Sequence, residues 1–333
     1  MRRLASIQRI MALEPIEGAD NILKAKVLGW ELVIKKSEFA VGDFCIYCEI
    51  DSLLPDKPEF EFLKAKSFRI KTIRLRGQVS QGICFPLSIL PEGFEIEEGA
   101  DCTEALGIIK YEPPIPASLA GIMKGGFPSF IPKTDEIRVQ ILQNVLTKYK
   151  GESCFITEKL DGSSATYYLK DGQFGVCSRN LEIEENIENT FWKVAKALNI
   201  EEKIRSLGGN YALQGELVGE GIQYNRLKIK GQTVFFFNLF NIDTFEYVSY
   251  ADFMKLMKQL DLQPVPVLND NYHLSDSITE LVEMAKIKSK VQAEVWAEGI
   301  VIRLLNEKFD KWLLKDLGGH GRISFKAINP EFY

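Results

Sequence analysis

A proline-rich stretch divides this chain of 333 residues into two parts that are both rich in short β-like runs. The stretch covers residues 106–133 and carries five of the 13 prolines: Pro113, Pro114, Pro116, Pro128 and Pro132. Proline fixes φ and removes a backbone hydrogen-bond donor, so this segment fits neither a long helix nor a central strand. We therefore predict a linker at 106–133, between one domain at 1–105 and another at 134–333.

The first part consists of β-rich runs separated by glycines. The runs are LKAKVLGWELVIKK, FCIYCEID, FRIKTIRLRGQV and GICFPL. Short strands with few helical stretches between them predict a small β-barrel or sandwich.

The second part mixes strands with helices. Ile137, Ile141, Val145 and Tyr149 recur every four residues, which predicts a helix that begins at Thr134 and runs through TDEIRVQILQNVLTKYK. Three more helices are predicted near residues 188–207, 250–260 and 277–289. The strands are predicted at FITEKL, SATYYLK, QFGVCSRN, YALQGELVG, TVFFFNLFNI, EGIVIRLL and ISFKAI. This order predicts an α+β domain of largely antiparallel sheets flanked by helices.

Charge and hydrophobicity limit the possible partners. Lys and Arg number 41 against 46 Asp and Glu, so a nucleic-acid site must be a local basic patch. The longest apolar run, at 234–240, is too short to cross a bilayer, and the N-terminus lacks a signal-peptide pattern. We expect no membrane partner and a cytoplasmic protein, or a nuclear one if it is eukaryotic.

Cysteine and histidine usage limits the chemistry. Six cysteines without a secretion signal indicate reduced thiols. The single CxxC, Cys45 and Cys48, lies in a strand-like run where residues three apart face opposite sides, which disfavours a zinc site. With only His273 and His320, a histidine-rich metal site is excluded, and the sequence has no P-loop, GxGxxG or GxSxG motif.

One segment predicts a nucleophilic amine. Lys159 ends an apolar strand and is followed by Asp161 and Gly162, where a turn lets backbone approach a ligand. Alone, this KxDG favours a surface turn, because the motif often occurs by chance. It is followed in order by SRN at 178–180, QGELVG at 214–219, FFFNLFNID at 235–243, EGIVIR at 298–303 and SFKAI at 324–328.

This ordered set resembles the covalent nucleotidyltransferases, which include ATP-dependent RNA and DNA ligases and RNA capping enzymes. Only seven residues follow Lys326, so we expect the β-rich domain at 1–105 to be an OB-type barrel that precedes the adenylyltransferase domain at 134–333. That order, with FPSFIPKTDEIRVQ before the nucleophile, resembles the RNA ligases of the Naegleria and Deinococcus type. IEGADNILKAKVLG is also similar to OB-type tRNA-binding modules.

The resemblance implies an ATP-dependent RNA ligase that joins a 3′-OH to a 5′-phosphate through a lysyl-AMP, with Mg²⁺ or Mn²⁺. We also expect a monomer, and a nicked duplex is among the candidate substrates. The alternatives are a DNA ligase, a GTP-using capping enzyme, or a non-catalytic nucleic-acid-binding module.

The resemblance also implies roles for individual residues. Lys159 would be the nucleophile, and Lys326 would lower the pKa of that amine and bind the α-phosphate. The metal candidates are Asp161 and Glu298. The remaining nucleotide contacts would be Glu216 on the ribose, Arg179 on sugar or phosphate, Glu158 near adenine, Phe237 stacked on adenine, and Lys133 and Arg138 on the β and γ phosphates. Phe235, Phe237 and Leu239 are expected on one face of their strand, where Phe237 is equally compatible with sheet core.

The last motif departs from the family pattern, because Ser324 stands where the family usually has a first lysine. Arg322, on the same predicted strand face, or Lys315 upstream would supply the missing charge.

Two basic clusters are candidates for RNA contacts. Six cations in 13 residues without an acid predict a phosphate-tracking stripe, although a strand would split them between two faces: Lys64, Lys66, Arg69, Lys71, Arg74 and Arg76. Arg226, Lys228 and Lys230 form a smaller cluster in a predicted loop.

Overall fold

A computed structural model describes residues 3–112, 114, 121–316 and 321–332, with side chains omitted at 315 and 316. The first part of the chain forms ten short strands. They are β1 (Ala5–Arg9), β2 (Ala12–Ile16), β3 (Ala19–Val27), β4 (Trp30–Lys35), β5 (Phe44–Cys48), β6 (Ser52–Leu53), β7 (Ile73–Leu75), β8 (Gln78–Ser80), β9 (Ile83–Phe85) and β10 (Ile109–Lys110).

These strands pair antiparallel in the orders β1-β5-β9, β2-β3-β4, β7-β8 and β10-β6. They enclose one core, in which Trp30 and Tyr47 are fully buried. The buried residues of this core run from Leu4 to Ile108, and β10 still pairs with β6, so the boundary at 105 stays a prediction. The predicted linker at 106–133 includes residues 113 and 115–120, which lie outside the described residues.

One predicted strand of this domain is mostly wrong. FRIKTIRLR forms a strand only at β7, and the preceding 3₁₀ helix covers Pro58–Lys66. By contrast, β5 contains Cys45 and Cys48 as predicted, and all six cysteines are free thiols.

The second part of the chain contains twelve strands and six helices in its described residues. The strands are β11 (Met123–Gly126), β12 (Ile137–Arg138), β13 (Ser153–Lys159), β14 (Ser163–Lys170), β15 (Gln173–Cys177), β16 (Leu181–Ile183), β17 (Tyr211–Gly219), β18 (Gln232–Asn241), β19 (Glu246–Tyr247), β20 (Val267–His273), β21 (Gly299–Leu304) and β22 (Ser324–Ile328). The helices are α1 (Gln143–Lys148), α2 (Thr190–Ala197), α3 (Ile200–Arg205), α4 (Tyr250–Gln259), α5 (Ile278–Met284) and α6 (Lys311–Asp316).

Two sheets organise this part. One has seven strands in the order β11-β16-β15-β14-β17-β18-β19, and its outer face packs on α2, α3 and α4. The other has the order β12-β22-β21-β13-β20, and packs on α1, α5 and α6. A small cluster that includes Leu160, Val218 and Phe235 fills part of the space between the sheets. The predicted α+β class with largely antiparallel sheets is confirmed, since only β12 and β22 pair parallel among the named strands.

The predicted helix at 134–150 is mostly wrong. Only Gln143–Lys148 is α-helical, because the backbone of Ile137 and Arg138 pairs with Phe325 and Lys326 on β22. Sheet pairing with a strand nearly 200 residues away overrides the local apolar period.

The two parts of the chain touch closely. Gly29 donates its backbone N–H to the carbonyl of Gln140 at 3.1 Å, and a Cβ at Gly29 would lie 2.9 Å from Gln140 Cα. Arg74 Nη2 donates to the Pro330 carbonyl at 2.6 Å. These contacts join the strands of the first domain to the segment before α1 and to Pro330, near the end of the chain.

Candidate active site

A cavity of about 330 Å³ lies between the two sheets of the second part. Its walls come from β13, β14, β17, β18, β21 and β22 and from the segment before β12. Gly162 allows the tight turn between β13 and β14, because a Cβ there would lie 2.3 Å from the Leu217 carbonyl oxygen. Eight of the predicted site residues line this cavity: Glu158, Lys159, Asp161, Arg179, Glu216, Phe237, Glu298 and Lys326.

Lys159 ends β13, and its amine lies within the cavity. Nζ donates to Glu298 Oε2 at 2.7 Å, and the two side chains are 21% and 19% exposed. Burial lowers the pKa of Lys159, but the carboxylates of Glu298, Glu216 and Asp161 outweigh it and raise the pKa above its ordinary value. The expectation of a lowered pKa is therefore wrong for the ligand-free protein, in which this amine is an ion-paired ammonium.

Three carboxylates surround that amine. Burial raises the pKa of Glu216 to about 7, and the charges of Glu298 and Asp161 act in the same direction. Burial, together with the charge of Glu298, also raises the pKa of Asp161. Among the described residues, no group of three or more His, Cys, Asp or Glu side chains is arranged to hold a metal ion. The acids nevertheless repel one another, so a further cation would be stabilised there.

The pKa of Lys326 is shifted in the opposite direction from that of Lys159. Burial, followed by the positive charges of Arg138 and Lys159, lowers its pKa to about 7. Arg138 is its partner in the pairing of β12 with β22. The Nη1 atom of Arg138 is buried without a hydrogen-bond partner, and the Arg138 guanidinium lies 5.7 Å from the ring centre of Trp30. Arg138 is therefore close enough to act on Lys326 electrostatically, although it does not line the cavity.

Glu158 is a buried acid with one unused oxygen. It is 2% exposed, and its Oε2 accepts a hydrogen bond from the backbone N–H of Lys290 at 2.7 Å. The Oε1 atom is buried and has no hydrogen-bond partner. Burial raises the pKa of this carboxyl. A buried acceptor that lines a cavity without a partner is well suited to a ligand donor.

Phe237 lines the cavity because its strand is irregular. Gln214 pairs with Asn238 and Gly215 with Phe236, so Phe237 is the extra residue of a β-bulge. Beyond the bulge the alternation is reversed, and Leu239 packs with Phe236 in the core under the seven-stranded sheet. The prediction that Leu239 shares a face with Phe235 and Phe237 is therefore wrong.

Two ion pairs join the walls of the cavity. Arg179 Nη2 donates to Asp135 Oδ1 at 2.6 Å, and both side chains are about half exposed. Arg303, which is 3% exposed, donates to Glu136 Oε1 at 2.8 Å and to Ser324 Oγ at 3.0 Å. The sequence analysis missed Asp135, Glu136 and Arg303. The only signal for Arg303 was a charged residue inside the apolar run EGIVIR.

A second cavity of about 690 Å³ adjoins the first and shares residues 134–136 with it. It contains Lys133, which donates to Asn180 Oδ1 at 3.0 Å. Arg322 and Ser324 also line this cavity rather than the first. Arg322 binds the Glu307 carboxylate and donates to Asn238 Oδ1 at 2.9 Å. The structure thus separates Arg322 from Lys326, and the Lys315 side chain lies outside the described residues.

The basic run of the first domain is split among several partners. Lys64 pairs with Glu61, Arg69 pairs with Asp51, and Arg74 binds Pro330. The three other cations, Lys66, Lys71 and Arg76, are exposed. Because the strand is limited to β7, the expected division of these cations between the two faces of one long strand is wrong, and their contact with RNA stays a prediction.

No helix in the described ranges is long and apolar enough to traverse a membrane.

Comparison with known proteins identifies both domains. A family model described as an OB-fold domain matches residues 4–87, and the RNA ligase model matches residues 152–328. The comparison with curated proteins gave no match. Solved structures of Naegleria gruberi RNA ligase match at 38% identity and a TM-score of 0.86. The match to an apo mutant covers 99% of this chain and 97% of that one, and the match to a lysine-to-alanine mutant with ATP and Mn covers 99% and 98%.

The structure with PPi has a TM-score of 0.85 at the same identity, and covers 100% of this chain and 98% of that one. These matches confirm the predicted OB-type domain, the nucleotidyltransferase fold and the enzyme class. Because the RNA ligase model covers more than half of the chain and the fold match extends over nearly all of it, this protein belongs to the RNA ligase family.

Proposed function

We propose that this RNA ligase joins a 3′-OH RNA end to a 5′-phosphate end through a covalent AMP on Lys159, with ATP as the nucleotide. One observation carries the assignment: Lys159 Nζ lies in a polar cavity, 2.7 Å from Glu298, and Lys326 lines the same cavity. The structures of the Naegleria enzyme with ATP and Mn, with AMP and Mn and with PPi support the choice of nucleotide.

In the first step the lone pair of neutral Lys159 Nζ attacks the α-phosphorus of ATP. A P–N bond forms, the bond from the α-phosphorus to the bridging oxygen breaks, and pyrophosphate leaves with that electron pair. The proton that Nζ holds against Glu298 must leave before the attack, and a second N–H proton leaves to water as the bond forms. Lys326 would bind the α-phosphate, because an anion restores the charge that burial disfavours.

The carboxylates near Lys159 fit a divalent cation. Asp161 and Glu298 line the cavity, and the charge of Glu298 acts on Asp161, so a cation held by these carboxylates would offset their repulsion. We therefore propose these two residues as the holders of Mg²⁺ or Mn²⁺. Such an ion, when bound, would neutralise charge on the triphosphate. Glu216, with a pKa of about 7, is better suited to hydrogen bonds with the ribose hydroxyls.

The base would lie between Glu158 and Phe237. The unpartnered Oε1 of Glu158 is an acceptor for an exocyclic amine, which adenine has and guanine lacks at the equivalent position. Phe237 presents a ring at the same cavity for stacking. Arg179 could contact sugar or phosphate once it leaves Asp135. Lys133 and Arg138 remain candidates for the β and γ phosphates, and the second cavity next to Lys133 offers the space.

The next two steps transfer and release AMP. An oxygen of the RNA 5′-phosphate attacks the α-phosphorus and the P–N bond breaks. The Lys159 nitrogen keeps that electron pair and takes a proton from water, which restores the neutral amine. The 3′-OH of the other end then attacks the RNA 5′-phosphorus, loses its proton to water, and AMP leaves with the bridging oxygen. A phosphodiester remains.

Three further points belong to the proposal. The enzyme would act as a monomer, because all proposed catalytic groups come from one chain. It would be cytoplasmic, or nuclear in a eukaryote, since its six cysteines are free. A nicked duplex is the proposed substrate, with Lys64, Lys66, Arg69, Lys71, Arg74 and Arg76 as candidate phosphate contacts of the first domain.

Covalent labelling with α-³²P ATP tests the nucleophile. The wild type should retain label on denaturing gels with ATP and not with GTP, and Lys159→Ala should retain none. Lys170→Ala is the matched control, because Lys170 also ends a strand of this domain but lies outside the cavity. Label on the Lys159→Ala protein would refute the assignment.

Defined ends distinguish the alternatives. RNA and DNA on each side of a 5′-phosphate, 3′-OH break should reveal sealing only where RNA is present. Sealing of all-DNA breaks at equal rates would indicate a DNA ligase, and labelling by GTP alone would indicate a capping enzyme. No label from either nucleotide would indicate a non-catalytic binding module.

A further inference from the structure

An exposed tyrosine stands beside the catalytic turn, on the loop that joins β17 to β18. Tyr224 is 85% exposed, the highest exposure among the large hydrophobic side chains of the described residues. Two hydrogen bonds order the loop. Asn225 Oδ1 accepts from the Ile229 N–H at 3.1 Å, and Asn225 Nδ2 donates to the Ile229 carbonyl at 3.0 Å. The fold therefore holds this ring in water instead of burying it.

The ring of Tyr224 begins a short row of flat groups. The guanidinium carbon of Arg226 lies 6.0 Å from the centre of the Tyr224 ring and 4.4 Å from the centre of the Phe332 ring. Arg226 Nη1 also donates to the Phe332 carbonyl at 2.9 Å, which fixes the guanidinium in place. Arg226 is the single ring or cation partner of Tyr224 among the contacts found in the described part of the chain.

This row is attached to the KxDG turn. Gln223 lines the catalytic cavity, and its Nε2 donates to the Gly162 carbonyl at 3.1 Å. Arg226 Nε lies 3.9 Å from Asp161 Oδ2. Tyr224 itself does not line the cavity, so its ring stands just outside the space that the nucleotide would fill.

We propose that Tyr224 is a stacking platform for a nucleobase of the RNA at the break. The inference rests on the proposed function, in which the RNA 5′-phosphate must reach the α-phosphorus on Lys159. A nucleoside joined to that phosphate would lie at the rim of the cavity. Gln223 and Arg226 hold the Tyr224 loop at that rim, against the turn that contains Asp161. Base stacking on an aromatic ring does not depend on the sequence, because every base has a flat face.

Charge around the ring agrees with a nucleic-acid strand. Lys228 and Lys230 are exposed on the same loop, and Lys228 forms an ion pair with Glu294 at 3.2 Å. Cations beside an aromatic ring suit a strand end at a break, because the cations follow the phosphates while the ring stacks on the end base, whose outer face no neighbouring base covers. Arg226 supports the platform from one side and leaves the rest of the ring open to solvent.

The test compares three variants in separate reactions. Tyr224→Ala removes the platform, and Tyr224→Phe keeps it without the hydroxyl. Phe245→Ala removes an aromatic ring that is 56% exposed at the opposite end of β18. Each protein is assayed for labelling by ATP, for transfer of AMP to 5′-phosphate RNA, and for sealing of RNA that is already adenylylated.

We expect Tyr224→Ala to raise the RNA concentration needed for half-maximal rate about tenfold in at least one RNA step. Labelling by ATP should not change, and the Tyr224→Phe and Phe245→Ala proteins should behave as the wild type. A 2-aminopurine placed as an unpaired base at the 5′-phosphate end of a short RNA should be quenched by the wild type and not by Tyr224→Ala, which a merely structural role would not explain.

Two results would overturn the platform. One is an unchanged RNA dependence in both RNA steps with equal 2-aminopurine quenching. The other is an equal slowing of labelling and RNA steps, which would indicate a damaged catalytic turn. A wild type that does not label with ATP would instead refute the proposed function. The quenching measurement, which needs no catalysis, would then still decide whether Tyr224 binds a base.

Discussion

Glu136 and its neighbour Asp135 form ion pairs whose surroundings differ sharply, and this difference predicts the effect of removing each acid. Arg303, the partner of Glu136, is 3% exposed, and burial lowers its pKa despite the nearby carboxylates. Glu136→Ala would leave this guanidinium buried without its main counter-charge. Loss of one partner of a buried pair costs about 3–5 kcal/mol of unfolding free energy.

The structure places the expected cost at the lower end of that range. Arg303 would keep its hydrogen bond to Ser324 and the attraction of Glu307. We therefore expect a loss of about 3 kcal/mol for Glu136→Ala. For a domain of this size the midpoint of thermal unfolding should fall by roughly 6–12 °C. Asp135→Ala breaks a pair that is half exposed, and should cost no more than about 1 kcal/mol.

Differential scanning calorimetry of the ligand-free proteins at neutral pH measures both variants. The double variant Glu136→Leu with Arg303→Met should recover most of the stability, because it removes the buried charge as well as its partner. If Asp135→Ala and Glu136→Ala lower the midpoint equally, burial does not decide the strength of these pairs and the reasoning fails.

Three more predictions concern the catalytic cavity. Gly162→Ala should lower the free energy of unfolding by about 1–3 kcal/mol in urea titrations, because its Cβ would clash with the Leu217 carbonyl. Gly125→Ala is the control and should leave the stability unchanged, since a Cβ there meets no atom within 4 Å. ATP affinity should weaken as the pH rises above about 7, because Lys326 then loses its proton and must regain it on binding. Titration calorimetry in buffers of different ionisation enthalpy should detect this proton uptake. The Lys326→Met protein should show none. Glu158→Ala should weaken ATP binding about tenfold in equilibrium titrations, and an equal loss of GTP binding would contradict the adenine contact.

The strands that carry the motifs were predictable because each has a strong local signal. FITEKL, TVFFFNLFNI and EGIVIR are dense in β-branched and aromatic residues, and they form β13, β18 and β21. The helix predicted from Thr134 to Lys150 is mostly wrong, because the four-residue apolar period reports only local sequence. The pairing of Ile137 with Phe325 joins residues far apart in the chain, and no window of sequence contains that information.

The arrangement within the cavity was less predictable for the same reason. The bulge at Phe237 depends on the register of β18 against β17, and the Glu136–Arg303 pair joins residues 167 positions apart. Motif order identified eight residues that do line one cavity. It did not indicate which acid contacts which cation.

The two lysines show what this missing information decides. The sequence predicts a neutral Lys159 amine, with Lys326 as the cation that lowers the pKa of Lys159. In the structure three carboxylates surround Lys159, whereas Lys326 faces Arg138 and has the lowered pKa. Placement relative to the acids therefore determines which lysine loses its charge. It follows that the ligand-free protein holds Lys159, the proposed nucleophile, as an ammonium paired with Glu298. Under the proposed mechanism, activation of Lys159 requires ligand binding to neutralise that carboxylate first.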